Sequence, residues 1–287
     1  MASMPVLTPS RRAPRSIAAV AVAAALCGVS PPARADDAWP AQVHASYRVE
    51  FSGFDIGTFT FDAKVAGRGY AVHGDVRLSA LLGAFKWQGL TRASGRVAGT
   101  SARPDSYAFD YSGTIKSGAV RMGFQGQNVK SLANSPPEPP KPDIVPLRPE
   151  HLKGVVDPLS AVMVLARGAN ANPCNQRLPI FDGKQRFDLV LSLRGHERIT
   201  QRSAGGEPGI AYVCQVRYVP IAGHKPNEQT RALAASRGIE VALRPVPGAN
   251  VFVPQRISVP TNAGTASILV QNVKIVTRQN EQIALGH

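Results

Sequence analysis

From Val43 onward, apolar and polar side chains alternate with a period of two, run after run, between short glycine-bearing turns. Successive side chains leave a pleated strand on opposite sides, so this period belongs to strands with one buried face. Val43, Ala45, Tyr47, Val49 and Phe51 alternate with His44, Ser46, Arg48 and Glu50. Phe59, Phe61, Ala63 and Val65 then alternate with Thr58, Thr60, Asp62 and Lys64. Ser52-Gly53-Phe54-Asp55-Ile56-Gly57 joins the two runs, with two glycines suited to a hairpin connection. The pattern returns at 72–78, 85–97 and 107–111, and short spacing between runs makes an antiparallel meander.

A run of prolines interrupts it. Seven of the fourteen residues at 136–149 are proline, which cannot donate ladder hydrogen bonds, so the segment reads as an extended crossover. A helix signal follows: Asp157 as cap, Pro158 at the first helical position, then Leu159, Val162, Met163 and Ala166 until Arg167-Gly168. No charge lies between Asp157 and Arg167, and a helix apolar on every side is a buried one. Alternation resumes at 187–194 and 210–218, a second short helix is readable at 228–237, and strands are expected at 239–244, 251–259 and 265–277. The total is ten to twelve strands. The expected fold is mainly β, a large curved antiparallel sheet forming a half-open or closed barrel, with one short buried helix plugging its mouth. The alternative is two β-rich subdomains divided at the proline run.

The first 35 residues read differently. Arg11, Arg12 and Arg15 precede an uncharged stretch from Ile17 to Val29, and Ala33-Arg34-Ala35 places small residues at −3 and −1. This is the pattern of a secretory signal peptide cleaved after Ala35, and residues 36–287 are then one β-rich exported domain. The apolar stretch is short of the roughly 20 residues that span a bilayer, so no transmembrane segment is expected in the mature chain. Leu26 before Cys27 does not suit lipid attachment. Cleavage removes four arginines and no acid, lowering the formal charge from +14 to +10. It also removes Cys27 and leaves Cys174 and Cys214, an even pair that reads as a disulfide in an oxidising compartment.

The chemistry-bearing residues are sparse. His44, His73, His151, His196, His224 and His287 form no HxH, HxxxH or HExxH pair, so no metal site is expected. Ser160 lacks the glycines of a nucleophile elbow, and Asp182-Gly183 reads as a tight hairpin turn. No GxGxxG opens a helix and no GxxxxGK[ST] occurs, so no cofactor is expected. The basic residues are dispersed singly, without interleaved aromatics, which speaks against nucleic acid as a partner. A diffuse positive field instead suits anionic envelope components.

Four stretches carry a resemblance: Tyr47 to Gly57 (YRVEFSGFDIG), Asp157 to Ala161 (DPLSA), Phe181 to Leu189 (FDGKQRFDL), and Cys214 to Pro220 (CQVRYVP) with the Gly223-His224 turn. Together they resemble the exported bacterial family called domain of unknown function 3108. The resemblance implies export to a diderm periplasm and a β-rich fold, and it brings no catalytic residue with it.

The sequence thus supports a non-enzymatic periplasmic envelope protein that takes a lipid or other amphipathic component inside a curved sheet. Val43, Tyr47, Val49, Phe59 and Phe61 would line the site, and His224 in its turn is a candidate ligand contact. The alternatives are a protein-protein interaction module serving envelope integrity and a cryptic envelope hydrolase using His224 or Asp182.

Overall fold

A computed structural model of the chain describes residues 39–137, 142–167, 172–202 and 208–286. The signal peptide read at 1–35, with Cys27 and the cleavage site, lies outside the described residues. Fourteen strands form one antiparallel sheet that does not close on itself. The first seven are β1 (Gln42–Phe51), β2 (Phe54–Ala66), β3 (Gly69–Ala80), β4 (Phe85–Ala98), β5 (Ser101–Gly113), β6 (Gly118–Gln125) and β7 (Asn128–Ser135). After helix α1 (Pro158–Leu165) come β8 (Arg177–Phe181), β9 (Arg186–Arg202) and β10 (Pro208–Ala222), then helix α2 (Glu228–Ala235). The chain ends with β11 (Glu240–Val246), β12 (Val251–Thr261), β13 (Gly264–Val276) and β14 (Gln282–Gly286).

The spatial order runs β7-β6-β5-β4-β3-β2-β1-β13-β12-β11-β10-β9-β8, so two meanders meet where β1 pairs with β13. The proline run does not divide the sheet. β13 gives its other edge first to β12, over 264–269, and then to β14, over 272–276. Fourteen strands exceed the expected ten to twelve because β6, β7, β8 and β14 escaped the pattern. β7 is an edge strand with no buried side chain, and β8 and β14 have five residues each, too few for alternation to register.

The sheet curls far enough to bring its ends together. Asn134 on β7 donates to the carbonyl of Gly183, in the β8–β9 turn, at 3.2 Å. The gap between the edges is spanned by the residues leading into α1: Val155 N–H donates to Gln127, Val156 N–H to Pro179, and Phe181 N–H to Val156. The β8–β9 turn fits because residue 183 is glycine, at φ +96°, where a Cβ would lie 2.2 Å from Val120 Cγ1.

Helix α1 lies within the concave face rather than at a barrel mouth. Leu159 and Met163 join the core that includes Tyr47, Phe61 and Val72, whereas Ala161 joins the core around Leu178, Leu191 and Val241. The helix begins where the sequence placed its cap: Asp157 Oδ1 accepts from Leu159 and Ser160 N–H, both at 3.0 Å. Cys174 and Cys214 are bonded, fastening the segment after α1 to β10.

Candidate functional site: an apolar cavity beside the central helix

β1 and β2 pair Tyr47 with Phe59, Ala45 with Phe61 and Val43 with Ala63, placing these side chains on the concave face. Tyr47 and Phe59 stack at 5.7 Å between ring centroids. Across from them stand Val162, Met163 and Ala166, at and just beyond the C-terminal half of α1, and Val251 and Val253 of β12. Between lies a cavity of about 100 Å³ with no charged residue in its lining. One water needs roughly 10–15 Å³ by such a measure, so the space takes several methylene-sized groups but not a whole lipid. Its polarity matches: the phenol of Tyr47 is buried and held in its neutral form by desolvation.

Of the five residues read as a lining, Val43, Tyr47, Phe59 and Phe61 do line this cavity. Val49 is buried but outside the lining. His224 is elsewhere. It borders a larger groove of about 950 Å³ with Val145, Lys184, Lys225 and Tyr218, and the two linings share no residue. The alternation could not reveal this, because His224 is brought to its place by backbone bonds between Val145 and the 223–224 turn.

The helix half of the lining was missed as a site, although its sequence signal, an apolar run without charge, was visible. Trp39 was also missed. Its indole donates to the carbonyl of Gly99 at 2.8 Å, its ring carries the Arg167 guanidinium 4.6 Å from the centroid, and it borders the cavity.

A polar relay adjoins the opposite end of α1. Ser160 Oγ donates to Asp157 Oδ2 at 2.5 Å, and the Tyr70 hydroxyl lies 2.6 Å from Ser160 Oγ. With Asp157 ionised, the single Ser160 proton goes to the carboxylate, so Tyr70 donates to Ser160. Burial pushes the Asp157 carboxyl up to about 6, against the lowering effect of the bonds from Ser160 and Leu159. Ser160 is fully buried, which suits a core hydrogen bond better than attack on a substrate. Asp182 accepts from Lys184 and Gln185 N–H within its own turn, as a hairpin residue does. Among the described residues no group of three His, Cys, Asp or Glu could hold a metal ion.

The fold and cavity define a class, an open antiparallel β-sheet curled around one buried helix with an apolar space beside it. The chain belongs to the family described as Protein of unknown function (DUF3108), whose model matches residues 46–271. Comparison with the curated proteins and with the solved structures found no match. All four signature stretches have structural work in this fold. Gly57 sits where a Cβ would lie 1.9 Å from the Arg77 carbonyl oxygen, Asp157 caps α1, Asp188 is buried between Arg177 and Arg186, and Cys214 is bonded.

Proposed function

We propose that this is a non-catalytic envelope protein, exported to the periplasm, that holds the apolar end of a lipid or lipid-bearing molecule between α1 and the concave sheet. The observation that carries the reading is the uncharged cavity lined by Val43, Tyr47, Phe59 and Phe61 opposite Val162 and Met163. Empty apolar cavities persist without water and accept apolar guests. Two further features agree with export: the Cys174–Cys214 bond, and the absence among the described residues of a helix long and apolar enough to cross a membrane.

The size of the cavity sets the ligand class, an acyl terminus or short apolar segment whose polar part stays outside. Native mass spectrometry and lipid extraction of protein purified from periplasm test this, with fluorescent fatty-acid binding as the second measurement. A bound lipid, and probe binding abolished by Ala45→Leu at unchanged fold, are the expected results. No co-purifying ligand together with no probe binding would overturn the proposal.

A further inference from the structure

The hairpin turns of the first meander differ sharply between the two ends of the sheet. At one end the β2–β3, β4–β5 and β6–β7 turns are Gly67-Arg68, Gly99-Thr100 and Gly126-Gln127, with no large apolar side chain. At the other end, the β1–β2, β3–β4 and β5–β6 turns present Phe54, Leu81, Leu82 and Ile115, with exposures of 76%, 80%, 110% and 86%. These four are level with one another. Gly57, Leu78, Trp87 and Gly113 form one row across β2 to β5, and Phe54, Leu81-Leu82 and Ile115 stand two to four residues beyond it. Thr114 and Lys86 exchange backbone and side-chain hydrogen bonds that tie the second and third tips together. With strands about 4.8 Å apart, the three tips span roughly 20 Å.

The fold gives no reason for these side chains. Leu81 and Leu82 both sit in the left-handed region, at φ 53° and 55°, which bulky residues seldom adopt and asparagine or glycine occupies readily. The exposed Lys86 and Lys116 accompany the apolar tips, beside two acids at the same end, Asp55, which accepts from the Gly57 amide, and Glu50, which pairs with Arg48. Trp87 lies in the row just below, its indole laid along the sheet over Gly113 and Gly89.

We infer that this end of the sheet docks on an anionic lipid bilayer, with Phe54, Leu81, Leu82 and Ile115 entering the interface and Lys86 meeting the headgroups. A protein partner would need three separate pockets at matched spacing to receive such tips. A lipid surface receives them at any spacing, to a depth of about 5–10 Å, and the chain's positive charge attracts it. The inference does not rest on the cavity, which borders Trp39 near the opposite end, beside the β4–β5 turn.

The test uses the two tryptophans, Trp39 and Trp87, in the protein purified from periplasm, with vesicles of phosphatidylglycerol and phosphatidylethanolamine carrying brominated acyl chains. Trp87 emission is expected to be quenched. The quenching should weaken in high salt and on replacing phosphatidylglycerol by phosphatidylcholine. The combined variant Leu81→Asn, Leu82→Asn and Ile115→Asn should lose at least about tenfold in vesicle partitioning. Asparagine suits the left-handed turn, so an unchanged circular dichroism spectrum and melting temperature are expected, and Leu82→Gly serves as a second variant. Unquenched Trp87, or a folded variant quenched as strongly as the parent, would overturn the inference. So would a concentration-dependent dimer abolished by the same substitutions without vesicle binding, which would make a second copy the occupant of the tips.

Discussion

Asp157 shows how one buried acid ties helix geometry to pH. Its ordinary value of 3.8 rises to about 6 because desolvation outweighs the hydrogen bonds it accepts. Between those values the folded protein keeps a proton that the unfolded chain has released. Its stabilising contribution is therefore complete below the unfolded value and is lost as pH rises through about 6. A difference of this size corresponds to about 3 kcal/mol. Denaturant unfolding across pH 4 to 7 should show that slope, and Asp157→Asn, which keeps an acceptor for the cap, should flatten it. Tyr70→Phe should cost about 1–2 kcal/mol above about pH 6, where Asp157 is ionised and the buried Ser160 oxygen is left short of a donor, and less below it, where the protonated Asp157 can donate instead.

At the scale of elements, two fastenings hold the second meander. The bond between Cys174 and Cys214 closes a loop of 40 residues, and its loss in Cys214→Ala should lower stability by about 4 kcal/mol, read from unfolding midpoints with and without reductant. Non-reducing peptide mapping should recover the two cysteines joined. The other fastening is the β8–β9 turn against β6. Gly183→Ala puts a methyl into Val120 at a backbone angle unfavourable to alanine, and a loss above about 2 kcal/mol is expected. Val120→Ala in the same chain should recover part of it, a coupling that a double-mutant cycle measures.

These elements also show what the sequence made legible. The α1 cap at Asp157, the turn at Asp182-Gly183 and the strands β1 and β2 follow from local spacing, and local spacing revealed them. The pairing of β1 with β13, more than two hundred positions apart, leaves no local trace. Nor does the meeting of Gly183 with Val120, or the burial of Trp39 beneath Arg167. Four cavity residues could be read because alternation marks the buried face of a strand. His224 could not be assigned to the right surface, since a histidine in a turn carries no period.

For the whole molecule, the placement of α1 between both cores predicts cooperativity. Leu159 and Met163 serve one cluster and Ala161 the other, so neither half should melt alone. Calorimetry should give a van't Hoff enthalpy close to the calorimetric one. Met163→Ala should cost about 2–5 kcal/mol and lower a single transition rather than split it.

The clasp at Val155 and Val156 has a consequence for motion. Among the described strands every other junction is a ladder, whereas the two ends of the sheet are held by the backbone bonds of Val155 and Val156 to Gln127, Pro179 and Phe181, with the Asn134–Gly183 bond beside them. A seam of that kind unzips at a lower free energy than the ladders on either side. The clasp runs directly into Asp157 and α1, but the helix stays held by the Tyr70–Ser160 bond and by Phe252 N–H on the Ala166 carbonyl, so the seam opens without releasing it. Hydrogen exchange should find the amides of Val155, Val156 and Phe181 trading protons before those of the β1–β13 ladder.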